Sequence, residues 1–195
     1  MICGLDEAGR GPLAGPVCAA AVLLPDDFPA ELLNDSKQLT APKRERAMAA
    51  VYSGALAWGI GWASAAEIDS INILRASLLA MERAYGDMLT RIGKDIAVDS
   101  LQGIVDGLHV PEIPIPCTAV VKADGTVPQV MAASILAKTA RDRMMERYSW
   151  LYPEYGFEKH KGYPTKAHLE SIHRHGPSPI QRASFRIKPV QFEMF

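Results

Sequence analysis

Short apolar runs that end in carboxylates limit the fold of this chain more than any other feature. Residues 2–6 form an apolar run that closes on Asp6 and Glu7, and later apolar runs lead into Asp106 and Asp124. In α/β proteins the carboxyl ends of buried strands form the ligand-binding edge of the sheet. We therefore predict that these four carboxylates meet at one edge of a sheet.

Strand and helix signals alternate along the chain and predict an α/β fold with a mixed sheet. The predicted strands cover residues 2–6, 16–24, 55–63, parts of 95–105 and 114–122, and a glycine-rich turn joins the first two. Helices are predicted from Thr40 to Gly54, after the capping box formed by Ser64 and Glu67, from Val127 to about Tyr148, and from Thr165 to His175. The second of these helices has one apolar face, whose members are Ile71, Leu74, Leu78, Met81, Tyr85 and Met88.

Composition places the chain among soluble globular proteins. Its 195 residues are 48% apolar and 22% charged, which excludes a mainly disordered chain. No apolar stretch is long enough for a membrane span, and the N-terminus lacks the basic region of a secretory signal. The three cysteines are widely separated in apolar contexts, which indicates reduced thiols. We expect a monomeric, cytoplasmic protein with no membrane contact.

Clustered carboxylates point to a divalent metal site. Four such groups repel one another unless cations neutralise them, and all-oxygen ligands suit Mg²⁺ or Mn²⁺. Two such ions held together are the arrangement used to cleave phosphodiesters. Neighbouring strand residues point to opposite faces, so Asp6 and Glu7 share a site only if the strand ends or bends at Ala8 and Gly9. Asp99 follows a similar apolar pair, and periodicity does not choose between Asp99 and Asp106.

Positive charge concentrates near the C-terminus. Residues 155–190 carry seven Lys or Arg residues against two Glu residues, although the net charge of the chain is −1. A basic segment of this kind either binds phosphates or is a solvated surface. The pattern turns loop-rich near residue 150, so we predict a main domain over residues 1–150 and a C-terminal extension over residues 151–195.

Several motifs resemble those of the bacterial ribonuclease HII family. The run from Asp6 to Val17 reads DEAGRGPLAGPV and is similar to the opening signature of that family. Further similar blocks follow in family order: NDSK at residues 34–37, EID at 67–69, NIL at 72–74, VDG at 105–107, AASILAK at 132–138, RD at 141–142, HKGY at 160–163 and RASF at 182–185. The resemblance covers nearly the whole chain.

The resemblance implies an RNase H-like fold, with a five-stranded mixed sheet flanked by helices and a helical C-terminal extension. It implies hydrolysis of the RNA strand of RNA/DNA hybrids, cleavage on the 5′ side of single ribonucleotides in duplex DNA, and a two-metal mechanism with Mg²⁺ or Mn²⁺. Asp6, Glu7, Asp106 and Asp124 match the family's four acids, which decides for Asp106 over Asp99.

The resemblance also implies residues that hold the substrate. Gly9, Arg10 and Gly11 match a loop that recognises the ribose 2′-hydroxyl and the next phosphate, and Tyr163 matches a tyrosine that lies against the sugar. Lys37 is predicted to bind substrate, and Lys138, Lys161 and Arg182 are candidate phosphate contacts. The histidines at 160, 168, 173 and 175 lack metal-ligand spacing and are expected to be structural.

The chain departs from the family pattern at a few positions. Ala123 and Gly125 flank Asp124 where glycine and serine are usual, Leu108 and His109 replace asparagine and arginine, and Pro164 replaces glycine. None removes a proposed ligand, although Ala123 affects the expected orientation of Asp124. Alternative hypotheses are another nuclease of the same superfold and a hybrid-binding protein without catalysis.

The last five residues suggest a further partner. Gln191-Phe192-Glu193-Met194-Phe195 is similar to the pentapeptide with which bacterial replication and repair proteins bind the sliding clamp. Such a peptide places alternate apolar side chains in pockets. The alternative is that Phe192 and Phe195 fold back onto the body of the protein.

Overall fold

A five-stranded mixed sheet forms the centre of the computed structural model, which describes residues 1–33 and 40–186. The strands are β1 (Ile2–Ala8), β2 (Val17–Leu23), β3 (Ala57–Ala63), β4 (Gln102–Asp106) and β5 (Cys117–Val120). Their order in the sheet is β3-β2-β1-β4-β5. β1 pairs antiparallel with β2, and β2 with β3, whereas β1 with β4 and β4 with β5 are parallel. The predicted α/β fold with a mixed sheet is confirmed.

The α-helices include the four predicted ones and one short helix, over residues 157–160, that the sequence does not predict. They are α1 (Ala41–Gly54), α2 (Ala65–Leu89), α3 (Pro128–Leu151), α4 (Phe157–His160) and α5 (Lys166–His175). The Ser64 side chain accepts a hydrogen bond from the Glu67 N–H, and the Glu67 carboxylate accepts one from the Ser64 N–H, so the predicted capping box is present. The Thr165 side chain caps α5 by accepting a hydrogen bond from the His168 N–H.

Helices pack on both faces of the sheet and enclose two apolar clusters. One face of β1 and β2 packs against α2, with Leu5, Ala19, Ala80, Met81 and Met88 buried between them. The other face packs against α1 and α3, where the buried side chains include Ala20, Val22, Val51, Ile135 and Leu136. The small residues that begin α3 therefore let this helix lie close to the sheet, as predicted.

A break in α2 overturns part of the predicted apolar face. Asn72 has φ 67° and ψ 165°, so the helix is interrupted there, and the Asn72 Oδ1 accepts a hydrogen bond from the Arg75 N–H that starts the second segment. The change of register leaves Ile71 37% exposed, while Met81, Tyr85 and Met88 are buried as predicted. The prediction of one continuous apolar helix face that extends across Asn72 is therefore wrong.

The described residues after α3 pack on the body of the protein. Tyr155 and Phe157 form a third apolar cluster with Met145 of α3 and with Ala14. The Asp69 carboxylate accepts hydrogen bonds from the N–H groups of Ala183 and Ser184 at 2.9 and 2.8 Å, and one from the Ser184 hydroxyl. These contacts attach the segment around residues 182–185 to the start of α2.

Two further sequence expectations concern cysteines and membranes. Cys3 and Cys18 are buried free thiols and Cys117 is half-buried, and burial raises the pKa of the Cys3 thiol to about 12. Within residues 1–33 and 40–186, none of the helices combines the length and apolar character that a membrane span requires.

Glycines in β3 allow α2 to approach the sheet at backbone distance. A Cβ built on Gly61 would collide with the Ala80 carbonyl and the Ala84 N of α2, and one on Gly59 would collide with backbone atoms of the next turn. Gly86, in contrast, lies on the exposed side of α2 with open space around it.

We predict that Gly61→Ala lowers the free energy of unfolding by about 2–3 kcal/mol, because a rigid backbone contact must open. The matched variant Gly86→Ala raises it by about 0.5–1 kcal/mol, because alanine has the higher helix propensity. Chemical denaturation of both variants checks the pair. Equal effects of the two substitutions would contradict the packing of β3 on α2.

Candidate active site

Parallel strands bring two of the predicted acids together. Leu5 of β1 pairs with Val105 of β4, so Asp6 and Asp106 follow side by side at the carboxyl ends of neighbouring strands. Asp124 lies in one turn of 3-10 helix between β5 and α3. The sheet edge thus gathers these carboxylates, as the sequence predicts.

Three carboxylates are close enough to hold one metal ion. One oxygen from each of Asp6, Asp106 and Asp124 lies within 4.8 Å of the others. Asp6 and Asp124 are buried, with 5% and 7% exposure. Glu7 lines the same cavity of about 280 Å³ as Asp6 and Asp106, although β1 continues to Ala8. We call this space the acid cavity. All four predicted acids therefore lie in or beside one site.

Burial and mutual repulsion disfavour the ionised forms of the carboxylates in the acid cavity. Burial is the main cause that raises the pKa of the Asp6 carboxyl well above its ordinary value, and the charge of Glu7 adds to it. Burial also raises the pKa of Glu7, against the lowering effect of Arg10, whose Nη1 lies 3.3 Å from Glu7 Oε1. The Ser134 hydroxyl, on α3, hydrogen-bonds Asp6 and lowers its pKa. A cation in the cavity would offset this repulsion.

Ser134 is a site residue that sequence reasoning missed. It was predicted only as one of the small residues that let α3 approach the sheet. Its side chain nevertheless lines the acid cavity and contacts Asp6. The available signal was a lone hydroxyl in an otherwise apolar helical segment.

The turn that carries Asp124 tolerates the alanine before it. Ala123 is fully buried, and its N–H donates to Asp106 Oδ1 at 2.8 Å, which fixes the turn to β4. Lys122, just before the turn, has φ 62°. Asp124 still joins the carboxylate group, so Ala123 does not displace it from the site.

Asp99 is separated from the other acids by the length of β4. It is exposed and lies in the turn of residues 98–100 that precedes the strand, whereas Asp106 ends the strand. The choice of Asp106 over Asp99 agrees with this geometry.

A glycine-rich loop, residues 9–16, borders the acid cavity and is held from below by two buried arginines. Arg182 donates from Nη2, Nη1 and Nε to the carbonyls of Gly9, Arg10 and Gly15 at 2.6, 3.1 and 2.9 Å. Arg141 of α3 donates from Nε, Nη2 and Nη1 to the carbonyls of Pro16, Ala14 and Lys161 at 2.9, 3.2 and 3.0 Å. Sequence reasoning assigned no role to Arg141. We call residues 9–16 the glycine loop.

The glycine loop has no space for a larger residue at Gly9. Gly9 has φ 102°, which favours glycine, and a Cβ there would collide with the Arg141 side chain. A Cβ on Gly11 would lie 3.5 Å from Cε1 of Tyr163, so this ring stands beside the loop.

Tyr163 is exposed at the rim of the acid cavity, and histidines support the chain around it. Its side chain is 43% exposed, so it is not part of the apolar core. His168 Nδ1 lies 3.0 Å from the Tyr163 carbonyl, and His160 Nδ1 accepts from the Gly162 N–H. The two imidazoles stack with centroids 4.4 Å apart, and burial lowers the pKa of both. These contacts agree with the structural role expected for His160 and His168.

The predicted phosphate contacts divide into three cases. Arg182 is fully buried, so the prediction of a direct phosphate contact is wrong for this residue. Lys138 lines the acid cavity but pairs with Asp142 at 2.6 Å, and Lys161 pairs with Glu146 at 2.7 Å. Lys37 and the C-terminal peptide from Gln191 to Phe195 lie outside the described residues.

A larger cavity, of about 440 Å³, lies between the start of α2 and the end of α3. Its only carboxylate among the described lining residues is Glu67, which caps α2 and pairs with Arg83 at 2.7 Å. The acid cavity is smaller, but it alone of these two holds grouped carboxylates, and we therefore assign the chemistry to it.

The donor set of the acid cavity fits small divalent cations. All the grouped ligands are carboxylate oxygens, which suit Mg²⁺ and Mn²⁺. An exposed aromatic ring and a glycine loop stand beside these acids. This combination is suited to a phosphate-containing polymer that must lie across the sheet edge.

Comparison with known proteins identifies the family. The family model described as Ribonuclease HII matches residues 3–188. Ribonuclease HII of Treponema denticola is 56% identical over 197 aligned residues, which cover 96% of this chain and 99% of that protein. The crystal structure of ribonuclease H2 from Pyrococcus horikoshii has a TM-score of 0.69 and 26% identity, over 94% of this chain and 93% of that one.

A further solved structure has the same fold. RNase HII of Archaeoglobus fulgidus, in its complex with PCNA, has a TM-score of 0.72 and 23% identity over 97% of this chain and 96% of that one. The sheet topology and the four acids at its edge agree with this family match, which covers nearly the whole length of the chain. The chain belongs to the ribonuclease HII family of metal-dependent endonucleases.

Proposed function

We propose that this protein hydrolyses the RNA strand of RNA/DNA hybrids and cuts on the 5′ side of single ribonucleotides embedded in duplex DNA. The products are a 3′-hydroxyl and a 5′-phosphate. The observation that carries the proposal is the grouping of the Asp6, Asp106 and Asp124 carboxylates within 4.8 Å, beside the glycine loop. Family membership supports the hybrid as substrate.

Asp6, Glu7, Asp106 and Asp124 would hold two divalent ions, Mg²⁺ or Mn²⁺. When bound, such ions lower the pKa of a water molecule and stabilise the leaving oxygen of a phosphodiester. Asp6 is 5% exposed and its carboxylate is grouped with those of Asp106 and Asp124, so it would be a ligand of these ions. Ser134 orients its carboxylate, and the Ala123 N–H orients that of Asp106.

The glycine loop and Tyr163 would distinguish ribose from deoxyribose. The 2′-hydroxyl is both donor and acceptor, and only RNA carries it. Gly9 supplies the positive φ that shapes the loop, and Gly11, which lacks a Cβ, lets the backbone approach the sugar closely. Arg10 is half exposed and reaches Glu7, from where it can neutralise a phosphate. Tyr163 supplies an exposed ring and a phenolic oxygen next to Gly11.

The proposal also assigns roles to Lys37 and to the C-terminal extension. Lys37 would contact the substrate backbone, and residues 151–195 would act as an extension of the catalytic domain over residues 1–150. The protein would work as a cytoplasmic monomer.

Mapping the cleavage products of a duplex with one ribonucleotide, in Mg²⁺ or Mn²⁺, tests the proposed function. We expect a single cut 5′ of the ribonucleotide. An intact duplex together with cleavage of long RNA/DNA hybrids would indicate a ribonuclease H with a different specificity. Binding without any cleavage would indicate a hybrid-binding protein.

Asp6→Asn is predicted to reduce the turnover number by about 10²-fold or more, because loss of a metal ligand removes several kcal/mol of transition-state stabilisation. Hybrid binding stays largely intact, since the side-chain volume is kept and no phosphate contact is lost. Single-turnover kinetics and fluorescence anisotropy measure the two quantities.

Asp99→Asn is the matched control for Asp6→Asn. It changes an exposed carboxylate at the opposite end of β4 and is expected to leave turnover within about twofold of wild type. Near-normal turnover of folded Asp6→Asn would refute the metal-ligand assignment, and a large loss in Asp99→Asn would show that the wrong end of β4 was chosen.

Tyr163→Ala is predicted to reduce cleavage at an isolated ribonucleotide about tenfold or more, because an aromatic surface against the sugar is lost. The melting temperature should change little, since the ring is 43% exposed. Calorimetry and kinetics on the same preparation make the comparison. A matched loss of stability and activity would assign the ring a packing role.

The C-terminal peptide is proposed to bind a sliding clamp. Its sequence from Gln191 to Phe195 lies outside the described residues, and the proposal rests on the pattern of alternating apolar side chains after a glutamine. The Archaeoglobus fulgidus protein with the same fold is described in a complex with PCNA, which supports a clamp as partner.

Deletion of residues 191–195 is predicted to abolish clamp binding in surface plasmon resonance and to leave cleavage of a short duplex unchanged. A short duplex carries no clamp, so its cleavage reports only the active site. Undetectable binding by the intact protein at micromolar concentrations would refute the proposal. A lower melting temperature after deletion would instead indicate that Phe192 and Phe195 pack on the body.

A further inference from the structure

Two arginine side chains lie fully inside the protein beneath the glycine loop. Arg182 and Arg141 are 0% and 1% exposed, and together they donate six hydrogen bonds, all to backbone carbonyls. Five of these six carbonyls belong to the glycine loop, and the sixth belongs to Lys161, two residues before Tyr163. The two guanidinium groups therefore join the loop and the tyrosine segment into one unit.

Neither guanidinium is neutralised by a contacting carboxylate within residues 1–33 and 40–186, where no Asp or Glu oxygen lies within 4.0 Å of either group. Burial, and then the nearby charge of Arg141, lowers the pKa of Arg182 to about 9. A buried charge without a partner is costly, and a contacting anion reduces that cost. Positive charge is thus held beside a cavity whose lining includes Asp6, Glu7 and Asp106.

Arg182 also orients the peptide groups of the loop. In a planar trans peptide the N–H points opposite to the carbonyl of the same peptide unit, and the described residues contain no cis peptide bond. The Gly9 and Arg10 carbonyls point to Arg182, so the N–H groups of Arg10 and Gly11 point away from it. Gly9, Arg10 and Gly11 also line the acid cavity.

We propose that Arg182, with Arg141, is a positioning residue for substrate recognition, which turns the glycine loop into a binding surface for a backbone phosphate of the substrate. This inference rests on the proposed function, since the phosphate is that of the scissile strand. The C-terminal segment therefore takes part in recognition through a residue that never touches the nucleic acid.

Steady-state kinetics of Arg182→Met on an RNA/DNA hybrid test the proposal, at a temperature well below the melting transition of each protein. We expect KM to rise about tenfold or more and kcat to stay within about threefold of wild type, because the acids keep their positions and only the loop changes. Arg174→Met removes an exposed arginine of α5 and is the control, with unchanged KM. The rise in melting temperature produced by Mn²⁺ should be equal in wild type and Arg182→Met.

Arg182→Lys keeps the charge but cannot reach three carbonyls with one ammonium group. It is expected to show a rise in KM between those of wild type and Arg182→Met, and it replaces the Met variant if that variant does not fold. An unchanged KM in a folded Arg182 variant would overturn the proposal, as would a fall in kcat with no change in KM.

Failure of the proposed function is recognisable separately. If the wild-type protein cuts no hybrid, the proposed function fails, and the anisotropy of a labelled hybrid with each variant then decides the Arg182 proposal. Weaker binding by Arg182→Met than by Arg174→Met would support it, and equal binding would overturn it.

Discussion

The parallel pairing of β1 with β4, and of β4 with β5, brings the carboxylates together. Parallel strands end at the same edge of a sheet, so acids that follow Leu5 and Val105 become neighbours although a hundred residues separate them. The turn after β5 adds Asp124 through the hydrogen bond from Ala123 to Asp106. Antiparallel β2 and β3 contribute no acid to this group, and they form the buried support on which α2 and α3 pack.

The buried carboxylates at the edge of the sheet depend on polar contacts from neighbouring side chains. Asp6 and Glu7 have raised pKa values because burial disfavours their ionised forms, so ionised carboxylates at these positions disfavour the folded state. Ser134 and Arg10 reduce part of this cost. Arg141, which lines the same cavity, and Arg182 are in contrast buried cations bonded to neutral carbonyls. Divalent cations held by the carboxylates would offset the repulsion among them.

Much of this architecture could be predicted from local sequence. The strand signals, the capping box at Ser64 and the acids at strand ends depend on nearby residues, and they were found correctly. The helix break at Asn72 was not, because an asparagine in a left-handed conformation leaves no periodic signal. The role of Arg182 was also missed, because its three acceptors lie about 170 residues earlier in the chain. Basic composition suggested a surface residue, whereas tertiary contacts place the guanidinium in the interior.

The acids and the glycine loop differ in the same way, since one depends on local strand pairing and the other on distant residues. Asp6 and Asp106, at the ends of hydrogen-bonded strands, take their positions from the sheet itself, so their geometry follows from topology. In the glycine loop Leu13 and Ala14 are buried, whereas Arg10 and Gly11 are exposed, and this exposed part needs support from outside the loop. Arg182, fixed near α2 through the hydrogen bonds of Ala183 and Ser184 to Asp69, supplies that support from the other end of the chain. The glycine loop is therefore complete only when the segment after α5 has docked, whereas Asp6 and Asp106 take their positions from the sheet and Asp124 takes its position from the turn before α3.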